Sequence, residues 1–131
     1  MNEELRGEAA MLRRMPSAEA AEWLLGRYSI GTTNWDDALT LLDHVSLRKP
    51  DVQRLAADYL SGTCYASDRP YRLFAKLLGL AGLLRQLGPY RPASRRDADL
   101  LMHHLQPMLD AAESEHDRAA AADFVAAIGI G

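Results

Sequence analysis

The stretch PDVQRLAADYL, residues 50–60, places Val52, Leu55, Ala56, Tyr59 and Leu60 at spacings of three and four. That is the repeat of an α-helix with one buried face, and Pro50 suits its first turn. A second stretch, HDRAAAADFVA at residues 116–126, shares its Ala-Ala-Asp-aromatic-aliphatic centre: Ala56 to Leu60 in the first, Ala121 to Val125 in the second. Each centre follows a Leu-rich helical pattern and a short polar turn, which pairs residues 34–47 with 50–63 and 97–112 with 116–128. The alanines let the second helix of a pair lie close to the first, and the aromatic ring fills the space beside them. The pattern predicts an all-α fold of stacked antiparallel helix hairpins of the HEAT or armadillo kind, with about 6–7 helices. The repeat length is irregular, which leaves a non-repetitive helical bundle as the alternative.

Composition points the same way. Leu and Ala number 21 each, whereas Val and Ile together supply six residues, and it is the β-branched residues that favour strands. At 131 residues the chain is expected to form a single domain over residues 1–131, large enough to bury a core without a disulfide or metal. Its one cysteine, Cys64, has no internal partner, which suits a reducing compartment. The start, MNEELRGEAAMLRRM, is interrupted by charge and lacks the apolar stretch of a secretion signal, and the longest apolar run is LLGLAGLL at 77–84. A cytoplasmic protein without a membrane segment is expected.

Outside the two pairs, residues 2–14 read as a helix, and Ser17 is expected to cap another running to Arg27. Asn34 is expected to cap the 34–47 helix, with Asp36 and Asp37 in its first turn. Gly31 is expected to terminate the helix before it, and Gly62 to weaken the end of the 50–63 helix. Asp68 and Pro70 announce a long, central, continuous helix over about 70–87 that Gly88-Pro89 stops, and Pro107 is expected to kink the 97–112 helix.

Charge is unevenly spread along the chain. Residues 50–96 hold eight Lys or Arg against three acids, whereas residues 97–131 hold seven acids against Arg118. Such asymmetry steers a charged partner, although a solvated helix face also carries charge for its own sake. Catalytic patterns are absent. His103 and His104 are neighbours on a helix and diverge by about 100°, and Cys64 lacks a CxxC partner. The LGLAG stretch at 78–82 lacks the Lys and Ser/Thr of a phosphate loop. No metal, cofactor or catalytic residue is assigned. The Ala75-x3-Gly79 spacing is that of helix-turn-helix DNA binders, but the following Leu80 to Leu84 offer few polar groups to base edges.

The run NWDDALTLLDHVSLRKPDVQRLAADYLSG resembles the Trp-led helix, turn and Asp-Val-x-x-Leu-Ala helix of small HEAT-like immunity proteins of bacterial polymorphic toxin systems. GLAGLLRQLG is similar to that group's next helix, and HDRAAAADFVAAIG to its closing one, so the likeness covers residues 34–129. Gln53 and Leu87 depart from it, standing where the pattern has a basic residue and a histidine. The resemblance implies a non-enzymatic inhibitor that binds a cognate toxin, with neither nucleic acid nor membrane as partner and oligomeric state open. On that reading Asp97, Asp99, Asp110, Glu113, Glu115, Asp117 and Asp123 cover a basic active site, and Tyr65, Tyr71 and Tyr90 are candidate aromatic anchors. The alternatives are a chaperone or adaptor for a secreted effector, and a helix-turn-helix DNA-binding regulator.

Overall fold

The computed structural model describes residues 1–61 and 64–128. Among them lie seven helices and no strand: α1 (Glu3–Arg13), α2 (Ser17–Arg27), α3 (Asp37–His44), α4 (Lys49–Leu60), α5 (Arg69–Leu87), α6 (Arg95–Asp110) and α7 (Glu115–Ile128). The all-α expectation holds. The chain separates into two compact units, Met1–Leu55 and Ala56–Gly131, and α4 runs through the boundary. In the first unit α1 packs on α3; in the second α5, α6 and α7 pack on one another, α5 against α7 most extensively. This packing accommodates a hairpin stack and a helical bundle alike.

Within the first unit, apolar faces at helical spacing are buried: Leu5, Ala9 and Leu12 from α1, Ala20, Ala21 and Leu24 from α2, and Leu39, Leu41 and Leu42 from α3. Polar side chains then tie the helix ends to one another. Asn2 accepts the Leu5 N–H at 2.8 Å and caps α1. Arg13 of α1 donates to the His44 carbonyl at 2.9 Å, meeting the exposed acceptors where α3 ends. Tyr28, just past α2, is buried and donates its hydroxyl to the Glu8 carboxylate. Burial first, and the neighbouring Glu8 second, raise the Tyr28 phenol above its ordinary range, so it stays a donor.

Ser17 departs from expectation. It occupies the first helical position of α2, and Pro16 stands at the cap without a side-chain bond. Its hydroxyl serves another helix instead, accepting the Arg48 N–H at 2.8 Å and donating to Asp51 at 2.5 Å. These are the residue before α4 and the third residue within it, so Ser17 completes the start of α4 from a different helix. Ser17→Ala is expected to lower stability by roughly 0.5–2 kcal/mol, the range for losing a cap. Urea unfolding checks this, and an unchanged midpoint would count against the assignment.

Asn34 does not cap α3 either. Residues 34–39 pass through tight turns, Asp37 N–H to Asn34 carbonyl and Ala38 N–H to Trp35 carbonyl, each at 3.0 Å, before the α-helix begins at Asp37. Helix α3 also ends earlier than predicted, because Val45 is extended. Gly31 takes its left-handed φ of 106° in the loop, three residues beyond the cap of α2 at Tyr28. The expectation for Gly62 lies outside the described residues.

In the second unit, α5 is not the continuous helix that its apolar run predicts. Gly79 sits inside it at φ 78° and ψ 165°, breaking it into two helical arms. That conformation belongs almost solely to glycine. Phe74 and Leu78 are buried before the break, and Leu83, Leu84 and Leu87 after it. Asp68 stands at the cap position of α5 but spends its carboxylate on Arg72, with Arg72 Nε at 2.5 Å, which holds Asp68 below its usual range. Helix α6 starts at Arg95, earlier than expected, because the Ser94 side chain caps it. It continues beyond Pro107 to Asp110.

Candidate functional site

Two serines position the acidic surface of the second unit. Ser94 Oγ accepts the Asp97 N–H, and Ser114 Oγ accepts the Asp117 N–H, each at 3.1 Å. Asp97 and Asp117 therefore stand in the first turns of α6 and α7, where a carboxylate complements the positive end of the helix dipole. Both are half-buried, and a local helical role accounts for their presence. The remaining five, Asp99, Asp110, Glu113, Glu115 and Asp123, are exposed.

Asp110 lacks such a role. Asp110 is the last residue of α6, beside the negative end of the dipole, where a carboxylate opposes rather than assists the helix. Gln106 Nε2 donates to it at 2.8 Å. Glu113 follows in the connection, and Glu115 and Asp117 open α7, so four carboxylates fall within eight residues of chain. Arg118 is the single cation among them, and its Nε donates to the Ala112 carbonyl at 3.3 Å. The α6–α7 connection is thus a concentrated, solvent-facing negative charge.

The three tyrosines are placed differently from the carboxylates. Tyr71 and Tyr90 are only 1% and 6% exposed, so neither ring is offered to a partner, and the anchor expectation is corrected for both. Tyr65 is half-buried; its hydroxyl donates to the Tyr59 carbonyl and its N–H donates to the Tyr71 hydroxyl at 3.1 Å. The Tyr71 ring stacks on His104 at 5.8 Å, and His104 Nε2 lies 3.1 Å from the Tyr65 carbonyl, to which it donates. This network fastens the segment before α5 to α6. His104 was hidden from a sequence reading of Cys64 and Tyr65 because 39 residues separate it from Tyr65.

Cys64 joins the same network, with its thiol 3.6 Å from the Asp97 carbonyl and 3.9 Å from the Tyr71 hydroxyl. Burial pushes the thiol up, outweighing the Tyr71 hydrogen bond, so Cys64 remains protonated near neutral pH and is a poor nucleophile. Among the described residues, no group of three or more His, Cys, Asp or Glu is arranged to hold a metal ion. No described helix is long and apolar enough to cross a membrane.

No family model, curated protein or solved structure matches this chain. A groove of about 380 Å³ lies at the start of α6 and the end of α7, away from the α6–α7 connection, lined by Pro92, Ser94, Arg95, Ala98, Asp99, Met102 and Ile128. Of the predicted site residues, Asp99 lies on this groove. The apolar lining from α6 and the end of α7 is not legible in the sequence, since Met102 and Ile128 lie 26 residues apart.

Proposed function

We propose that this chain is a non-enzymatic protein-binding module, specifically a cytoplasmic immunity protein that neutralises a bacterial toxin by covering a basic surface. The observation that carries this reading is the exposed carboxylate cluster at the α6–α7 connection, above all Asp110, whose position helix stability does not explain. The resemblance of residues 34–129 to small HEAT-like immunity proteins supports the choice of partner class. Short helices with side-chain caps at Asn2, Ser94 and Ser114 suit a preformed surface, which loses little conformational entropy on docking.

The broken helix at Gly79 gives the DNA-binding alternative one favourable feature, a turn four residues after Ala75. The residues that follow weigh against it. Leu83, Leu84 and Leu87 are buried, Arg85 is exposed and Gln86 half-buried, so the second arm has little to present to a base edge. DNA binding at low salt would restore that alternative.

The test is kinetic. Asp110→Asn, Glu113→Gln and Glu115→Gln, combined, remove three charges from exposed positions. Association with a toxin captured and identified from the host is expected to slow by about tenfold at low salt, with a flatter salt dependence, because steering accounts for that order of rate. Identical rates in wild type and variant would overturn the reading.

A further inference from the structure

We infer that Gly79 is the hinge of a domain exchange, through which two copies of this chain trade α6 and α7 and join as a dimer with α5 continuous in each. The exchange is independent of the basic-partner reading above and adds a second copy of this chain as a partner. Gly79 is the one residue of α5 outside helical φ and ψ, so the connection between the two arms is a single residue long. Short hinges invite exchange, because a chain that turns only through a special backbone conformation can run straight into another copy instead. Both glycines near the break serve the turned form. Gly79 takes a conformation that belongs almost solely to glycine, and a methyl group at Gly82 would lie 2.8 Å from Leu78 Cβ, inside the contact distance of two carbon atoms. On a continuous helix the Cβ atoms of positions 78 and 82 stand about 5–6 Å apart, and Ala fits at both 79 and 82. Straightening also restores the backbone hydrogen bonds that the break interrupts.

The apolar residues of α5 fit a helix that serves two cores. Phe74 and Leu83 have no exposed surface and stand nine residues apart. At about 100° per residue they fall on opposite sides of a continuous helix. Leu78 and Leu83, buried on either side of the break, fall about 140° apart by the same rule. A single copy buries all of them by breaking α5. Two copies bury them with α5 unbroken, because the first arm packs into one lobe of the dimer and the second arm into the other. The same contacts form in both arrangements, so the exchange gives up no core. The Tyr71 ring on His104, and the Cys64 thiol beside the Asp97 carbonyl, join the two sides of the hinge. They lie within one chain in the monomer and between chains in the dimer. The α6–α7 connection travels with its helices, so the dimer carries two carboxylate surfaces.

The experiment refolds the full chain from urea at micromolar and at millimolar concentration and measures its mass by light scattering after size exclusion. Wild type is expected to be a monomer at the lower concentration and to yield a dimer at the higher one. Gly79→Ala and Gly82→Ala each disfavour the turned form and are expected to raise the association constant by about tenfold or more. Gly26→Ala, in α2, is expected to leave it unchanged. Two readouts separate exchange from side-by-side association. In a dimer refolded from a mixture of labelled and unlabelled chains, isotope-filtered NOEs are expected between Tyr71 of one copy and His104 of the other. Oxidation of Asp97→Cys, which pairs with Cys64, is expected to link the two chains of the dimer and to close a loop within the monomer. Monomer alone at both concentrations in wild type and both variants would overturn the inference. A dimer that keeps the Tyr71–His104 contact and the 64–97 disulfide within one chain would overturn it equally.

Discussion

Phe74→Ala is expected to destabilise the protein by about 3–5 kcal/mol, the cost of removing an aromatic side chain from a closed core site. Phe74 has no exposed surface and lies in the first arm of α5, the helix that packs on both α6 and α7. Truncation to Ala leaves a cavity in the core of the unit that carries the carboxylate surface. A loss of this size is a large fraction of the total stability of a small protein. Urea unfolding measures it directly. A loss under about 1 kcal/mol, the size of a mild core change, would mean that Phe74 does not occupy a closed site.

Gly79→Ala carries the next largest expected effect, a loss of about 1–3 kcal/mol. Open space surrounds the added methyl group, with nothing within 4 Å, so the effect arises from the backbone alone. At φ 78° a side chain clashes with its own main chain, and the break in α5 becomes strained. Gly26→Ala is the matched comparison. Gly26 lies within α2, again with nothing within 4 Å of the added methyl, and there the same change is expected to stabilise by about 0.5–1 kcal/mol. Opposite signs at the two positions would establish the break. Stabilisation at both would mean that α5 is an unbroken helix.

The apolar periodicity made the helices legible before any coordinates, because a buried stripe such as Val52, Leu55, Ala56 and Tyr59 leaves a period that polar residues do not mask. The ends were harder to read. Ser17 is a good cap by type, yet its hydroxyl is used by α4, 31 residues away, and no local pattern signals that. Ser94 and Ser114 lie in polar connections, where the Ser-x-x-Asp spacing to Asp97 and Asp117 carries the capping signal. The break at Gly79 was obscured by leucines on both sides, whose burial suits two arms as well as one helix.

For the candidate site, the carboxylates were legible because charge excess is additive along the chain. The tyrosines were not. A tyrosine suits an interface and a core equally, and only the packing of Tyr71 on His104 and the burial of Tyr90 decide between them. The groove was less legible still, since Pro92 and Ile128 line it from positions 36 residues apart in sequence.

The central claim is that this chain binds one protein partner through an acidic surface. Affinity capture from lysate of the native host, with bound proteins identified by mass spectrometry, tests it most directly. The predicted result is a single stoichiometric partner with a toxin-like domain and a basic surface, released by salt and retained poorly by the Asp110, Glu113 and Glu115 neutralised variant. Recovery of nucleic acid alone, or of nothing above background, would contradict it.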